Sequence, residues 1–531
     1  MGRKAASEIM LILLTIGMLS LAFNIQPVKT EWTGTVYIRA DGSIDPPGAP
    51  IQRNGSIYTL TGNITSSVNG IVVERDNIVI DGDGYMLRRT GAYQYKGIVL
   101  SGRTNVTVQN IQIQNFRHGI WLNSCSNNTI SGNNIANNGY GVWLRDSSNN
   151  SISGNNVTAN NYAGIQLEYS SNNTFNRNNI TANDGLGIVL QSSSNNTIVG
   201  NNVTANNYGG ILLLDYSSKN TFSGNNITAN SRYGIWLDDE CFYNSISGNS
   251  IKNNYDGIWL YYSSYNSISG NGIANNRLGI VLQSSSNNTI VGNNITANSE
   301  DGIVLQISSN YNSIVGNNIT ANSGDGISLS HSSNYNSISR NSITANNGHA
   351  IRLYSSSNNT FSRNNITANK GLGIWLEFSS NNNIYHNNFI NNTNQVYSKV
   401  SISFWDDGYH SGGNYWSDYT GVDLFSGPYQ NETGSDGIGD IPFVIDENNV
   451  DRYPLMGPFN SFNASVGYSV DVISNSTIED FRYFESNGTI IMHVSNMTAN
   501  QATGFCRLTI PHELIPPPYN ITVNNLSLIH I

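Results

Sequence analysis

Carboxylates set beside aromatic rings are the side chains that bind or cut a glycan, and this chain gathers them in two successive segments. The first holds Tyr233, Trp236, Asp238, Asp239 and Glu240, the second Asp256, Trp259 and Tyr261. Two carboxyl groups about 5 to 10 Å apart can act as acid and as base or nucleophile on a sugar acetal, which makes Asp238 and Asp256 the candidate pair. Arg145 and Glu168 form a second candidate set, a cation for a sugar acid with a carboxylate beside it. The plainer reading is a surface ion pair of little energetic weight.

Five of the eight tryptophans, Trp121, Trp143, Trp236, Trp259 and Trp375, fall at one place in a recurring segment. With Tyr261 they are the candidate ligand-binding residues, because an aromatic face suits the apolar C–H face of a pyranose while neighbouring Asn, Gln and Ser meet its hydroxyls. The alternative is that Trp simply fits a parallel sheet and is covered. For metals, Asp418, Asp423, Asp436 and Asp440 crowd a Gly- and Asn-rich segment, a set of hard oxygen donors that could hold Ca²⁺ without EF-hand spacing. His118, His331, His349 and His386 are scattered through the repeats, which disfavours a soft copper site. No other cofactor is expected.

The recurring segment is Gly-Ile-x-Leu, which returns every 22 to 24 residues from Gly97 through Gly119, Gly141, Gly164 and onward to Gly326. A unit so short buries no core alone and must stack on its neighbours. In the unit from Gly119 the strand-like pieces are 119–122, 128–130 and 133–135, separated by Ser, Asn and Gly turns, with no apolar period near 3.6. Ile and Leu of the tetrapeptide point inward. The x position (Val99, Trp121, Gln166, Leu212, Ser328, Arg352) varies as a solvent-facing column would. Two columns of Asn, one through Asn128 and Asn150 and one through Asn133 and Asn155, predict internal amide ladders.

These repeats resemble the NosD-like family of parallel β-helix proteins within the pectin-lyase-like fold. Upstream, 37–43 and 77–85 resemble the capped first coils of archaeal secreted members. Downstream, Ser411-Gly-Gly-Asn-Tyr-Trp-Ser-Asp-Tyr419, Asp436-Gly-Ile-Gly-Asp440 and Asp451-Arg-Tyr-Pro-Leu455 resemble the segment that closes their helix. The resemblance implies an all-β, right-handed, single-stranded parallel β-helix of about 13 coils. The organisation it implies is a cap and first coils over 31–96, repeats over 97–395, and a closing segment over 396–458. After it, 459–531 reads as a small, incomplete β-sandwich, its last six residues resembling translated adapter sequence. The family name suggests copper delivery. Polygalacturonase-like relatives carry Gly-His-Gly and Arg-Ile-Lys motifs that are absent here, and no compact Lys, Arg, His and Tyr set of a lyase or epimerase is visible in the sequence.

The apolar run from Ile9 to Phe23 behind Arg3 and Lys4 reads as a signal peptide, 1–30, and no other run is long enough to span a bilayer. A net charge of -10 offers no basic stripe for nucleic acid. Cys125 and Cys241 lie five repeats apart, about 24 Å at one strand spacing per repeat, too far to bridge. Sequons recur at turn positions such as Asn127 and Asn149 and at strand positions such as Asn156 and Asn179. Together these features imply a secreted or cell-surface protein that binds an envelope glycan or polysaccharide, or is structural there. A polysaccharide lyase, hydrolase or epimerase is the alternative.

Overall fold

A computed structural model describes residues 32–91, 94–498, 501, 503–523 and 526–527; the expected signal segment and residues 528–531 lie outside the described residues. Each turn of chain lays down three strands. In the unit around Gly119 these are His118–Asn123, Thr129–Ser131 and Asn134–Ala136. Each pairs in parallel and in register with its counterpart one turn on, Trp121 opposite Trp143, Ile130 opposite Ile152, Ile135 opposite Val157. Three long sheets of 16 or 17 strands result, named here by their outer residues as the aromatic, hydroxyl and amide sheets.

The coil has about sixteen turns, against 13 expected from the tetrapeptide count, because strands such as Val36–Ile38, Ile71–Val73 and Asn394–Lys399 extend the aromatic sheet without the Gly-Ile-x-Leu motif. Ile and Leu of the tetrapeptide are fully buried throughout, as Ile120, Leu122, Ile235 and Leu237 illustrate. The glycine before them is required by space. A Cβ at Gly119 would stand 2.6 Å from the Gly141 carbonyl oxygen and 2.7 Å from the Ile135 side chain.

Inside the corners, amides form ladders. The Asn150 Oδ1 accepts both the backbone N–H and the Nδ2–H of Asn128, each at 3.0 Å, and the pattern repeats from Asn133 to Asn155. A third ladder, Asn138, Asn160, Asn183, Asn206 and onward, does the same and was not foreseen. A column of serines completes the set, with the Ser147 N–H donating to Ser170 Oγ and Ser170 N–H to Ser193 Oγ. Cys125 and Cys241 stand in that serine column, both buried and free. Each turn that carries these columns therefore buries polar groups with partners, the condition for burying them at all.

The first turns are covered by antiparallel additions, Ile51–Asn54 against Ile57–Leu60 and Tyr37 opposite Asp45. At the other end the motifs of the closing segment meet. Asn414 accepts from Asn387 and so ends the second amide ladder, while the buried Asp451 carboxylate accepts the Asn414 N–H and the Trp416 indole N–H, each at 2.8 Å. Trp416 stacks between Phe389 and Phe443 at 4.4 and 4.5 Å. Beyond lie a three-stranded antiparallel sheet (Phe459–Ser465, Tyr468–Ser474, Cys506–Thr509) and a hairpin (Ser476–Phe484, Thr489–Asn496), joined by an apolar cluster in which Phe462 and Phe481 stack.

Candidate functional site

Alternation along each strand of the aromatic sheet sends the x residue and the one after the leucine outward; the residue before the glycine joins them because the glycine, like the isoleucine after it, faces the interior, where a Cβ at Gly119 would meet Ile135 and Asn138. The tryptophans Trp121, Trp143, Trp236, Trp259 and Trp375 are half-buried in the middle row. That row is not the solvent-facing column expected. Val189, Leu212, Val281 and Val304 are all under 9% exposed, and Leu278, Val281, Val304 and Trp259 form a small apolar cluster outside the coil. Large neighbours in the flanking rows fold over small x residues and make a second layer. The indole N–H groups of Trp121, Trp143 and Trp236 are buried without a hydrogen-bond partner among the described residues, so the accessible part of these rings is carbon.

The aromatic face has three stations. At its N-terminal end His118 is wedged among Trp121, Trp143 and Tyr140, with ring centroids 5.1, 4.8 and 5.5 Å away. The Lys96 ammonium rests on the Trp121 ring. Burial, helped by Arg117 and Lys96, holds the His118 imidazole down at about 3, and burial with Arg117 lowers Lys96 to about 8. His118 is thus neutral in ordinary buffers.

The middle station holds Tyr233 against Trp236 (4.7 Å) and Trp259 (5.6 Å), with Tyr261 half-buried one turn beyond Asp238. The expected carboxylate pair is not there. Asp256 opens its strand, opposite Tyr233, whereas Asp238 ends the strand before it, opposite Tyr261. Five residues of extended chain separate the two levels, about 16 Å, too far to flank one glycosidic bond. Asp256 is also buried and accepts from Arg277 at 2.9 and 3.0 Å. Burial, then Asp239, raises the Asp238 carboxyl above its ordinary range. Arg145 and Glu168 do pair, at 3.9 Å, with Asp146 at 3.7 Å from the same guanidinium.

The third station was missed in the sequence. Ser328, Ser330, His331, Arg352 and Tyr354 line a shallow depression of about 270 Å³. The small Ser328 between Val304 and Arg352 in the x row opens it. Arg352 lies 5.0 Å over Trp375, which stacks with His349 and Tyr397. Along the strand starts, Asp301 accepts the Asp325 N–H at 2.6 Å, Asp325 the His349 N–H at 2.7 Å, and His349 Nδ1 the Leu372 N–H at 3.0 Å. Burial, then the Asp325 charge, pushes Asp301 up to about 6. The histidines expected to be scattered, His331 and His349, therefore sit on consecutive turns beside an arginine and a tyrosine.

The closing-segment aspartates serve as turn caps. Asp440 accepts from the Leu424 and Phe425 N–H groups, Asp423 from Asp436 and Gly437, Asp436 from Ile438, and Asp418 is exposed. Among the described residues no three His, Cys, Asp or Glu side chains are placed to hold a metal ion, so the four candidates do not converge as a Ca²⁺ site would need.

A parallel coil with a varied aromatic face over an interior of repeated Ile, Leu and Asn defines a parallel β-helix protein. The family described as "Right handed beta helix region" matches residues 69–227 and 212–343, just over half of the chain, and the chain belongs to it. The family described as "Periplasmic copper-binding protein (NosD)" matches residues 291–421. No curated protein matches the sequence. Similar solved structures include a mutant of the periplasmic alginate epimerase AlgG (14% identity, covering 70% of this chain and 85% of that one, TM-score 0.38). Another is the mannuronan C-5 epimerase AlgE4 A-module of Azotobacter vinelandii (15%, 62% and 90%, 0.38). A third is the Dettilon tailspike protein gp208 (16%, 55% and 62%, 0.37). These similarities bear on no particular residue.

The donors present do not fit the copper of the second description. The Cys125 and Cys241 thiols donate to the carbonyls of Leu100 (3.3 Å) and Asp238 (3.2 Å), and burial pushes Cys241 up to about 12, far from the thiolate a metal takes. His118 is boxed by aromatic rings and His386 is bonded to Ser411.

Proposed function

We propose that this is an exported, secreted or cell-surface, carbohydrate-binding β-helix protein of the cell envelope, which takes a glycan along its aromatic sheet. What supports this most is the confinement of Trp121, Trp143, Trp236, Trp259 and Trp375 to one outer row of one sheet, while the other two sheets carry mainly Asn, Thr and Ser outside. Stations centred on Trp121/Trp143, Trp236/Trp259 and Trp375 are each about five turns apart, about 24 Å at one strand spacing per turn. Such spacing suits a long chain touching several platforms, whose weak contacts add through multivalency. A glycan array probed with the full chain tests it: bound long polysaccharides are expected, and an array with no bound glycan would contradict it.

A polysaccharide lyase or epimerase is the second reading, favoured by His331, Arg352 and Tyr354 around one depression with Asp325 3.9 Å from Arg352. Such reactions need a cation on the sugar acid and a base for its proton. Turnover of uronic-acid polymers, lost on Arg352→Ala, is its expected sign; binding without turnover leaves the first.

A further inference from the structure

The cations of the aromatic face are unequal. Arg145, Arg277, Arg352 and Lys399 each stand 2.8 to 3.9 Å from a carboxylate. At the N-terminal end the pattern breaks. Among the described residues neither Lys96 nor Arg117 makes an ion pair, in a chain whose net charge is -10. Arg89, at the same corner, lies 5.2 Å over Tyr95 and is 7% exposed; its Nη2 donates to the Ser67 carbonyl, while Nε and Nη1 have no partner among the described residues. His118, 6% exposed, likewise has both ring nitrogens unpartnered among the described residues. Buried cationic and polar groups without counter-charge are costly, and an anion docked beside them lowers that cost.

We propose that this corner is a subsite for an acidic sugar residue, one bearing a carboxylate or a sulfate, held by Lys96 and Arg117 beside the half-buried Trp143 ring. The proposal rests on the aromatic sheet being a glycan surface. The chemistry is complementary on both counts. An aromatic platform takes the C–H face of the ring, and two unpaired cations take its charge. A free inorganic anion would use only the second, and a neutral sugar only the first.

The electrostatics give the subsite a pH signature. The titratable groups around Lys96 are its chain neighbour Tyr95, with Arg89 over that ring, and Arg117, His118 and, beyond it, Tyr140 from the turns after; Glu168, further along, is engaged by Arg145. None of those near Lys96 is a carboxylate, and Lys96 titrates near 8. Its positive charge is present below that value and lost above it. Attraction for an acidic ligand is therefore full below about pH 8 and weakens as pH rises through it.

Calorimetric titration of the full chain with an oligouronate, a sulfated oligosaccharide of equal length and the carboxyl-reduced neutral oligosaccharide tests this near pH 6 and pH 9. At least one acidic ligand is expected to bind about tenfold tighter than the neutral one at the lower pH, a ratio of the size one charge-assisted contact gives. That ratio should collapse in Lys96→Gln and persist at both pH values in Lys96→Arg, whose guanidinium does not titrate there. The tighter of the two acidic ligands names the anionic group. Equal binding of acidic and neutral ligands, or a ratio untouched in folded Lys96→Gln, overturns the acidic subsite and leaves the glycan surface standing. A folded chain that binds none of the three overturns the glycan surface and the subsite with it.

Discussion

The amide sheet and the aromatic sheet are laid down by the same turns of chain, a few residues apart, over one continuous core. On the amide sheet the outer residues repeat like the inner ones. Asn156, Asn179, Asn202 and Asn226 each donate Nδ2–H to the amide oxygen of the turn before at 2.7 to 3.0 Å, and the Thr204 and Thr228 hydroxyls donate to the Asn202 and Asn226 amides. On the aromatic sheet the x row runs Trp, Gln, Val, Leu, Ser and Arg with no such self-satisfaction. Repetition outside lets side chains saturate one another. Variation is what a surface carries when it must match something other than its own next turn.

The sharpest way to break this contrast is to remove a rung from inside. Asn201 accepts from the Asn178 N–H and Nδ2–H and donates to the Phe175 carbonyl. Asn201→Ala removes a partner from each of these three buried groups, at about 1–3 kcal/mol each, so a loss of about 3–9 kcal/mol is expected in denaturant unfolding. Asn202→Ser, one residue away on the outer amide row, should stay within about 0.5 kcal/mol. Comparable losses in the two would erase the distinction between ladder and surface.

A smaller effect separates the faces by pH. Asp301, on the aromatic sheet, is raised to about 6 by burial and by Asp325. Its folded state prefers the neutral carboxyl, so its contribution is fully present below the ordinary carboxylate value and is lost as pH rises through about 6. Asp301→Asn keeps an acceptor for the Asp325 N–H and should flatten that part of the pH–stability curve. Asp451, raised to about 7 in the closing segment, gives a slope of the same sign that Asp301→Asn leaves in place. An unaltered curve would mean that Asp301 is not the group responsible.

The smallest effect concerns modification. Asn127 and Asn149 are exposed turn residues with φ of 57° and 60°, whereas the Asn156 and Asn179 amides are tied into the outer ladder. If the chain is exported and glycosylated, peptide mapping should find sugar at the turn sequons ahead of the strand sequons.

The coil was legible because its signals are local: Gly-Ile-x-Leu fixes strand, inward pair and bare glycine in four residues. Two of the three amide ladders could be read for the same reason. The third, through Asn138 and Asn160, sits just before the most variable corner, where Asn183 is followed by Asp and Asn230 by Ser, and so hides among changing neighbours. The site was less legible because it is vertical. Asp238 and Asp256 look paired along the chain but open and close different strands, while Ser328, His331, Arg352 and Tyr354 meet only when successive turns are stacked. Aligning the repeats by row and asking which outer residue is unusually small would have pointed to Ser328.

On the proposed function, the aromatic sheet binds glycan and the amide sheet does not. Glycan-array binding of the full chain, compared with a Trp236→Ala, Trp259→Ala double variant and an Asn202→Ser, Asn226→Ser double variant of equal thermal stability, tests it most directly. Losing two ring platforms should lower binding about tenfold or more while the amide-sheet variant binds as the parent does. Full binding by the tryptophan variant, or an equal loss in both, would contradict it.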